Sequence, residues 1–322
     1  MPEQIKFYKG LEENLPKKDI VIGALYHCTD TKNTYRGTSA TSMTLWSSGA
    51  AKIQDSTNNG VVIGVGGNNA SGKFSLAEGQ DTRATGEASH AEGYDTTASG
   101  MYAHAEGDGT QAGAYAHAEG FYTVASYASH AEGMGTRAAF EASHAEGCNT
   151  IASGYCAHAE GYYSQASESY THAEGYNTNA TGPYAHAEGC ETTANGTGSH
   201  TEGFWTNASG GSSHAEGCDT AASGDVSHAE GYVSRATGTA SHAEGYETIA
   251  SGDYGSHAEG WQTEAKGYFS HTEGEYTQAT GDASHAEGAY TQATSLYAHA
   301  EGFETEATGE ASHAEGPVAL VL

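Results

Sequence analysis

The stretch Ser89-His90-Ala91-Glu92-Gly93-Tyr94-Asp95-Thr96-Thr97-Ala98-Ser99-Gly100 decides how this chain folds. Close copies of it run on to Gly316, and a His-x-Glu pair recurs from His90 to His313. The step between histidines is fourteen residues, except for two steps of thirteen and one of fifteen. A catalytic site needs one such pair. A period this strict marks stacked repeats, each covering a face of the next.

Within one period, small residues alternate with larger or polar ones in two short runs, and each run closes on a glycine. Alternation of period two predicts a strand, and glycine after four or five residues predicts a turn. Each period therefore reads as two short strands and two tight turns, one coil of an all-β, parallel β-solenoid. Ser89, Ala91, Thr96 and Ala98 are expected to point inward, because so short a coil has no room for larger groups. His90 and Glu92 then share the outer face. With strands about 4.8 Å apart, roughly eighteen coils would make a rod on the order of 85 Å long. So thin a coil buries little apolar area by itself, which leaves its outer face to be covered.

The first copies act as an internal comparison. Gly60-Val61-Val62-Ile63-Gly64 followed by Asn69-Ala70-Ser71-Gly72 is a degenerate coil with Val61 and Ile63 in the His and Glu slots, and the next coil has Leu76 and Glu78. Exposed Val and Ile would be costly there, whereas burial against partner chains suits them. The face expected at an oligomer axis is therefore Val61, Ile63, Leu76 and Glu78, continued by His90 and Glu92, His104 and Glu106, His117 and Glu119, His130 and Glu132, His144 and Glu146, His158 and Glu160, His172 and Glu174, His186 and Glu188, His200 and Glu202, His214 and Glu216, His228 and Glu230, His242 and Glu244, His257 and Glu259, His271 and Glu273, His285 and Glu287, His299 and Glu301, and His313 and Glu315.

Composition narrows the partners. Lysine and arginine number 12 against 41 acids, giving a net charge of −29. Half of those cations (Lys6, Lys9, Lys17, Lys18, Lys32, Arg36) fall in the first 36 residues, so the repeats are far more acidic than the start. Such a balance repels nucleic-acid phosphates and anionic membranes. No apolar run of signal-peptide or membrane-span length occurs, so membrane insertion is not expected. The five cysteines, Cys28, Cys148, Cys156, Cys190 and Cys218, are odd in number and contain no CxxC, which argues for free thiols rather than a disulfide framework or a thiolate zinc site.

The S-x-A-x-G and T-x-A-x-G period over residues 60–316 resembles the head repeats of trimeric autotransporter adhesins (YadA-like), and its HAEG form is similar to repeats of bacteriophage and prophage tail proteins. That resemblance implies a homotrimeric, left-handed parallel β-roll in which the two slots flanking the central alanine face a threefold axis. In the family those slots are usually apolar; Val61 and Ile63 follow this pattern and the HAEG copies depart from it. The segment Phe7-Tyr8-Lys9-Gly10, Asn14-Leu15-Pro16, Gly23-Ala24-Leu25-Tyr26-His27-Cys28-Thr29-Asp30-Thr31 and Tyr35-Arg36-Gly37 resembles the short hairpin at the head of many tail-fibre proteins, with Lys9 where that pattern has arginine and Ala24 where it has an acid. From the residues alone, Ile20–Cys28 alternates as a strand, Asp30–Asn33 is rich in turn formers and Thr34–Arg36 can pair back. The expected organisation is an attachment segment at 1–37, a linker at 38–59, the solenoid at 60–316 and a tail or cap at 317–322.

A buried carboxylate is tolerated when an imidazole N–H pairs with it, so the His–Glu pair reads as a trimerisation device repeated because the coil is repeated. The polar rows would also disfavour slipped registers, since an offset would set Glu against Glu. If pairing outweighs desolvation, the folded histidine pKa values are raised. Their stabilising contribution is then complete below the unfolded value and fades as pH climbs through the folded one. Whether such rings hold metal ions is left open by the residue types. No cofactor is expected. No copy carries an added nucleophile and HExxH is absent, which speaks against an enzyme.

The aromatic residues after HAEG (Tyr94, Phe121, Tyr162, Tyr176, Phe204, Tyr232, Tyr246, Trp261, Phe303) read as edge packing between chains, with a carbohydrate-stacking stripe as the other reading. The functional expectation is the structural shaft of a phage or phage-like tail fibre, borne on the virion and made in the host cytoplasm. Its N-terminus would join baseplate or tail proteins, and its rod would project toward host-surface glycans. The alternatives are a trimeric adhesin on a bacterial cell surface and a glycan-processing tailspike enzyme.

Overall fold

The computed structural model describes residues 59–316 in full, and beyond them the backbone of strands Phe7–Gly10, Leu25–Cys28, Thr34–Ser39, Ser42–Ser47, Gln54–Asp55 and Leu320–Val321. Two compact units divide the chain, Met1–Tyr122 and Thr123–Leu322, and both are built from the same coil. In the first, the long strands Val61–Val65, Leu76–Gln80, His90–Tyr94, His104–Asp108 and His117–Phe121 stack in parallel, and Arg83–Ala84, Thr97–Ala98 and Gln111–Ala112 form a second ladder. In the second, the long strands run from His130–Met134 to His313–Ala314 and the short ones from Val124–Ala125 to Glu306–Ala307. The architecture is thus the all-β solenoid of coils about fourteen residues long that the alternation predicts.

Register follows from the period. His104 pairs with His90, Ala105 with Ala91, Glu106 with Glu92 and Gly107 with Gly93, so like stands over like. The backbone joins coil to coil: His90 N–H donates to Ala103 O at 2.8 Å and Thr97 N–H to Thr110 O at 2.8 Å. Ala91, Ala98 and Thr96 are 0% exposed and Ser89 2%, which makes the core a set of alanine, serine and threonine columns. The buried serine hydroxyl does not go unpaired. Ser89 Oγ donates to Gly86 O at 2.8 Å, and Ser213 and Ser241 do the same to Gly210 and Gly238 at 2.7 Å, closing the turn that precedes each histidine.

Turn geometry departs from what turn chemistry suggests. Two non-glycine positions in a typical coil are left-handed, as at Asp95 (φ 49°) and Tyr102 (φ 57°) in the first unit and Tyr163 (φ 57°) and Tyr170 (φ 60°) in the second. A bulky residue there costs about 1–2 kcal/mol. The compensation is directional: these N–H groups point back, Asp95 to Gln80 O at 2.9 Å, Tyr102 to Glu87 O at 2.8 Å, Tyr163 to Cys148 O at 2.9 Å and Tyr170 to Tyr155 O at 2.8 Å. Each such bond contributes on the order of 1 kcal/mol net.

Irregular coils keep the register of the long strands. One of the two thirteen-residue steps pairs His104 with His117, and the fifteen-residue step pairs His242 with His257. The change falls in the turn after the short strand. There Gly113 follows Ala112 directly, and Tyr254 (φ 64°) and Gly255 (φ 88°) lengthen the other turn. At the first unit's edge, Gln54–Asp55 pairs antiparallel with Val61–Val62 and so occupies an otherwise open strand edge. In the second unit Leu320 pairs with Glu306, keeping the coil register after the sequence repeat has ended. The first unit also holds a four-stranded sheet, with Phe7–Gly10 parallel to Leu25–Cys28, and Leu25–Cys28, Thr34–Ser39 and Ser42–Ser47 antiparallel in turn. The turn expected at Asp30–Asn33 lies outside the described residues, as does 317–319.

The HAEG glycine has no room for a side chain. Gly161 has φ +106°, and a methyl group on it would overlap the Gly175 carbonyl. Gly161→Ala should cost at least about 1–3 kcal/mol from backbone strain alone. Urea unfolding should show the lowered midpoint, and hydrogen exchange should place the lost protection at the coils around residues 158–176.

Candidate functional site: the histidine and glutamate columns

Because the central alanine of each long strand points inward, its two neighbours must point outward on the same side. The first unit gathers Val61, Leu76, His90, His104 and His117 into one column and Ile63, Glu78, Glu92, Glu106 and Glu119 into the next. The second unit continues both patterns from His130 and Glu132 to His313 and Glu315. These pairings set the two columns in register along the outer side of the coil. Val61 is 36% exposed, and Ile63 and Leu76 are half-buried in the single chain.

Successive imidazoles stack, as His144 on His158 at 4.8 Å and 2° and His228 on His242 at 4.8 Å and 5°, except that His104 and His117 meet edge-on at 64°. Within a strand, His Nε2 lies near Glu Oε2, at 3.5 Å for His158 and Glu160 and 3.7 Å for His242 and Glu244. These separations are close enough for ion pairing but too long for good hydrogen bonds. Glu216, Glu230 and Glu301 also reach the histidine of the next coil. Glu216 Oε1 is 3.8 Å from His228 Nε2, and Glu230 Oε1 is 3.9 Å from His242 Nε2. The carboxylates of Glu202, Glu216, Glu230 and Glu244, with Gly217, Gly231, Gly245 and Gly260, line an open groove of about 530 Å³.

The electrostatics reverse the expected sign for histidine. Burial, and then the neighbouring imidazoles of the column, hold His104, His144, His172, His186, His200, His214, His228 and His257 below the ordinary histidine range, against the pull of the glutamates. The raised values expected from pairing are thus overturned: like stacks on like, so charging one imidazole opposes charging the next. The glutamate row shows the same effect. Glu230 is pushed up to about 7, chiefly by hydrogen bonding to Glu216 and then Glu244, and Glu259 to about 7, chiefly by Glu244. Their neighbours Glu216, Glu244 and Glu273 are held low by the same shared hydrogen bonds. Within one chain, in-register stacking places Glu beside Glu.

The aromatic residues also form columns along the coils. Tyr232 stacks on Tyr246 at 5.1 Å, Tyr246 on Trp261 at 4.5 Å and Tyr170 on Tyr184 at 5.2 Å. Tyr232, Trp261, Tyr170 and Tyr184 are exposed, and Tyr246 is partly buried. Their ring faces cover one another and their edges face out, a geometry that offers a sugar ring little face to stack on. The period was the available signal: any residue meets its own counterpart one coil away. Cys148, Cys156, Cys190 and Cys218 are free and partly exposed.

Comparison with protein-family models and with curated protein sequences finds no match to this chain.

The lowered histidines fix the sign of a pH effect. The unfolded chain binds more protons than the folded one just below the ordinary value of 6.5, so their contribution is full above that pH and is lost as pH falls through it. The raised Glu230 and Glu259 act oppositely, losing stability between about 4.5 and 7. With eight lowered histidines set against them, the melting temperature should rise from pH 5 to 7. Carboxyl ¹³C NMR should show glutamates titrating near pH 7 that disappear in Glu230→Gln and Glu259→Gln.

Proposed function

We propose that three copies of this chain pack around the His–Glu face and form the shaft of a phage or phage-like tail fibre. Residues 1–37 would join the particle's baseplate or tail, and the repeats would project toward the host surface. One observation carries the assembly. The outward columns begin as Val61, Ile63 and Leu76 and continue as half-buried imidazoles and carboxylates, a persistent face that the single coil leaves uncovered. Apolar side chains at its start are stabilised by burial against a partner, at roughly 25 cal/mol per Å². The same two slots face the threefold axis in the YadA-like repeats that the sequence resembles, and the tail-fibre-like segment at residues 7–37 supports the particle rather than the cell as the place of attachment.

Sedimentation velocity at neutral pH should report an elongated species with the mass of three chains; a monomer would sink the assembly. Replacing several HAE triplets with VAI should leave the trimer intact, since Val61 and Ile63 already fill those slots in the first coil. Immunogold labelling separates the functional readings. Label along the tail fibres of released particles supports the shaft, label on the cell envelope supports an adhesin, and cleavage of surface glycan by the purified chain supports a tailspike enzyme.

A further inference from the structure

Within the His–Glu face of the second unit, two adjacent histidines each lie between two carboxylates. At His228, Nε2 is shielded from solvent and has no hydrogen-bond partner among the described residues. Two carboxylate oxygens flank it, Glu216 Oε1 at 3.8 Å and Glu230 Oε2 at 4.0 Å. The arrangement repeats one coil on. His242 Nε2, also unpartnered, lies 3.9 Å from Glu230 Oε1 and 3.7 Å from Glu244 Oε2. Glu230 thus turns one oxygen toward each histidine. Hydrogen bonds run shorter than these separations, whereas two ligands of one tetrahedral ion sit about 3.4 Å apart, given metal–ligand distances of about 2.0–2.2 Å. Side-chain rotations of a few tenths of an ångström would close the difference.

Charge points the same way. Among the described residues, the ion pairs made by lysine or arginine are Arg83 with Asp95 and Lys266 with Glu264, both away from this row. The stacked carboxylates therefore have only imidazoles as neighbouring countercharge, and a divalent cation would neutralise two of them at once. One imidazole with two carboxylates and an open outward position suits a first-row transition ion such as zinc or cobalt better than magnesium, which keeps its waters and needs near-octahedral oxygen ligands.

We propose that Glu216, His228, Glu230, His242 and Glu244 form a pair of adjacent divalent transition-metal sites that share Glu230 as a bridging carboxylate. All five ligands come from one chain, so the sites stand independently of the three-chain assembly. They link three successive coils on the groove side of the second unit.

The test uses the full chain, stripped with EDTA, loaded with cobalt(II) and desalted. Retained cobalt with the intense visible bands of low-coordinate sites is expected, and Glu230→Gln, close in shape, should lose about two ions per chain because both sites need it. Glu310→Gln, in an exposed turn of another column, should lose none. Circular dichroism of each variant checks that the coil persists. Three results would overturn the proposal: no retained cobalt, equal retention by Glu230→Gln, or magnesium retained to the same stoichiometry, which would signify a diffuse counterion cloud. Sedimentation of the stripped chain keeps the two readings apart, because a metal-free trimer leaves the assembly standing whatever the cobalt result.

Discussion

Everything in this structure depends on the backbone hydrogen bond from one coil to the next. The contact from His90 N–H to Ala103 O, repeated along both ladders, sets each residue against the equivalent residue of the neighbouring coil. A core of alanine, serine and threonine buries little hydrocarbon, so the ladder holds a larger share of stability here than in a domain with a leucine core. The left-handed turn residues belong to the same economy. Asp95 and Tyr102 accept an unfavourable φ because that reversal aims their N–H groups at the preceding coil.

The ladder also governs the chemistry of the outer face. Stacking like on like multiplies every weak interaction with its own sign. Imidazole rings gain from parallel stacking at 4.8 Å, yet each depresses the protonation of the next. Carboxylates at the same repeat share hydrogen bonds, so their titration splits, with Glu230 near 7 and Glu216 and Glu244 low. Such behaviour belongs to the row rather than to any single residue.

Tolerance of the period is equally local. A coil of thirteen or fifteen residues keeps its long strand in register because the turn after the short strand takes up the difference, as at Gly113 and at Tyr254 and Gly255. The coil thus accommodates a change of length at that corner but no side chain at the HAEG glycine, where the neighbouring carbonyl leaves no space for a methyl group.

The sequence by itself determined the coil, its inward columns and the identity of the outward face. A strict period with alternating small residues states which side chains share a column and which side of the strand they take, as for Ala91 against His90 and Glu92. Only the tertiary structure decided how those columns behave. The expectation of raised histidines weighed the Glu of the same strand, whose partnership is visible in HAEG, and left out the His one coil away, whose influence depends on a distance of 4.8 Å and on burial. Left-handed tyrosines were equally hidden, since αL propensity belongs to Gly, Asn and Asp and the demand for a reversed N–H exists only once a preceding coil is in place. Periodicity encodes neighbours; the energies between them come from distances that only the folded chain supplies.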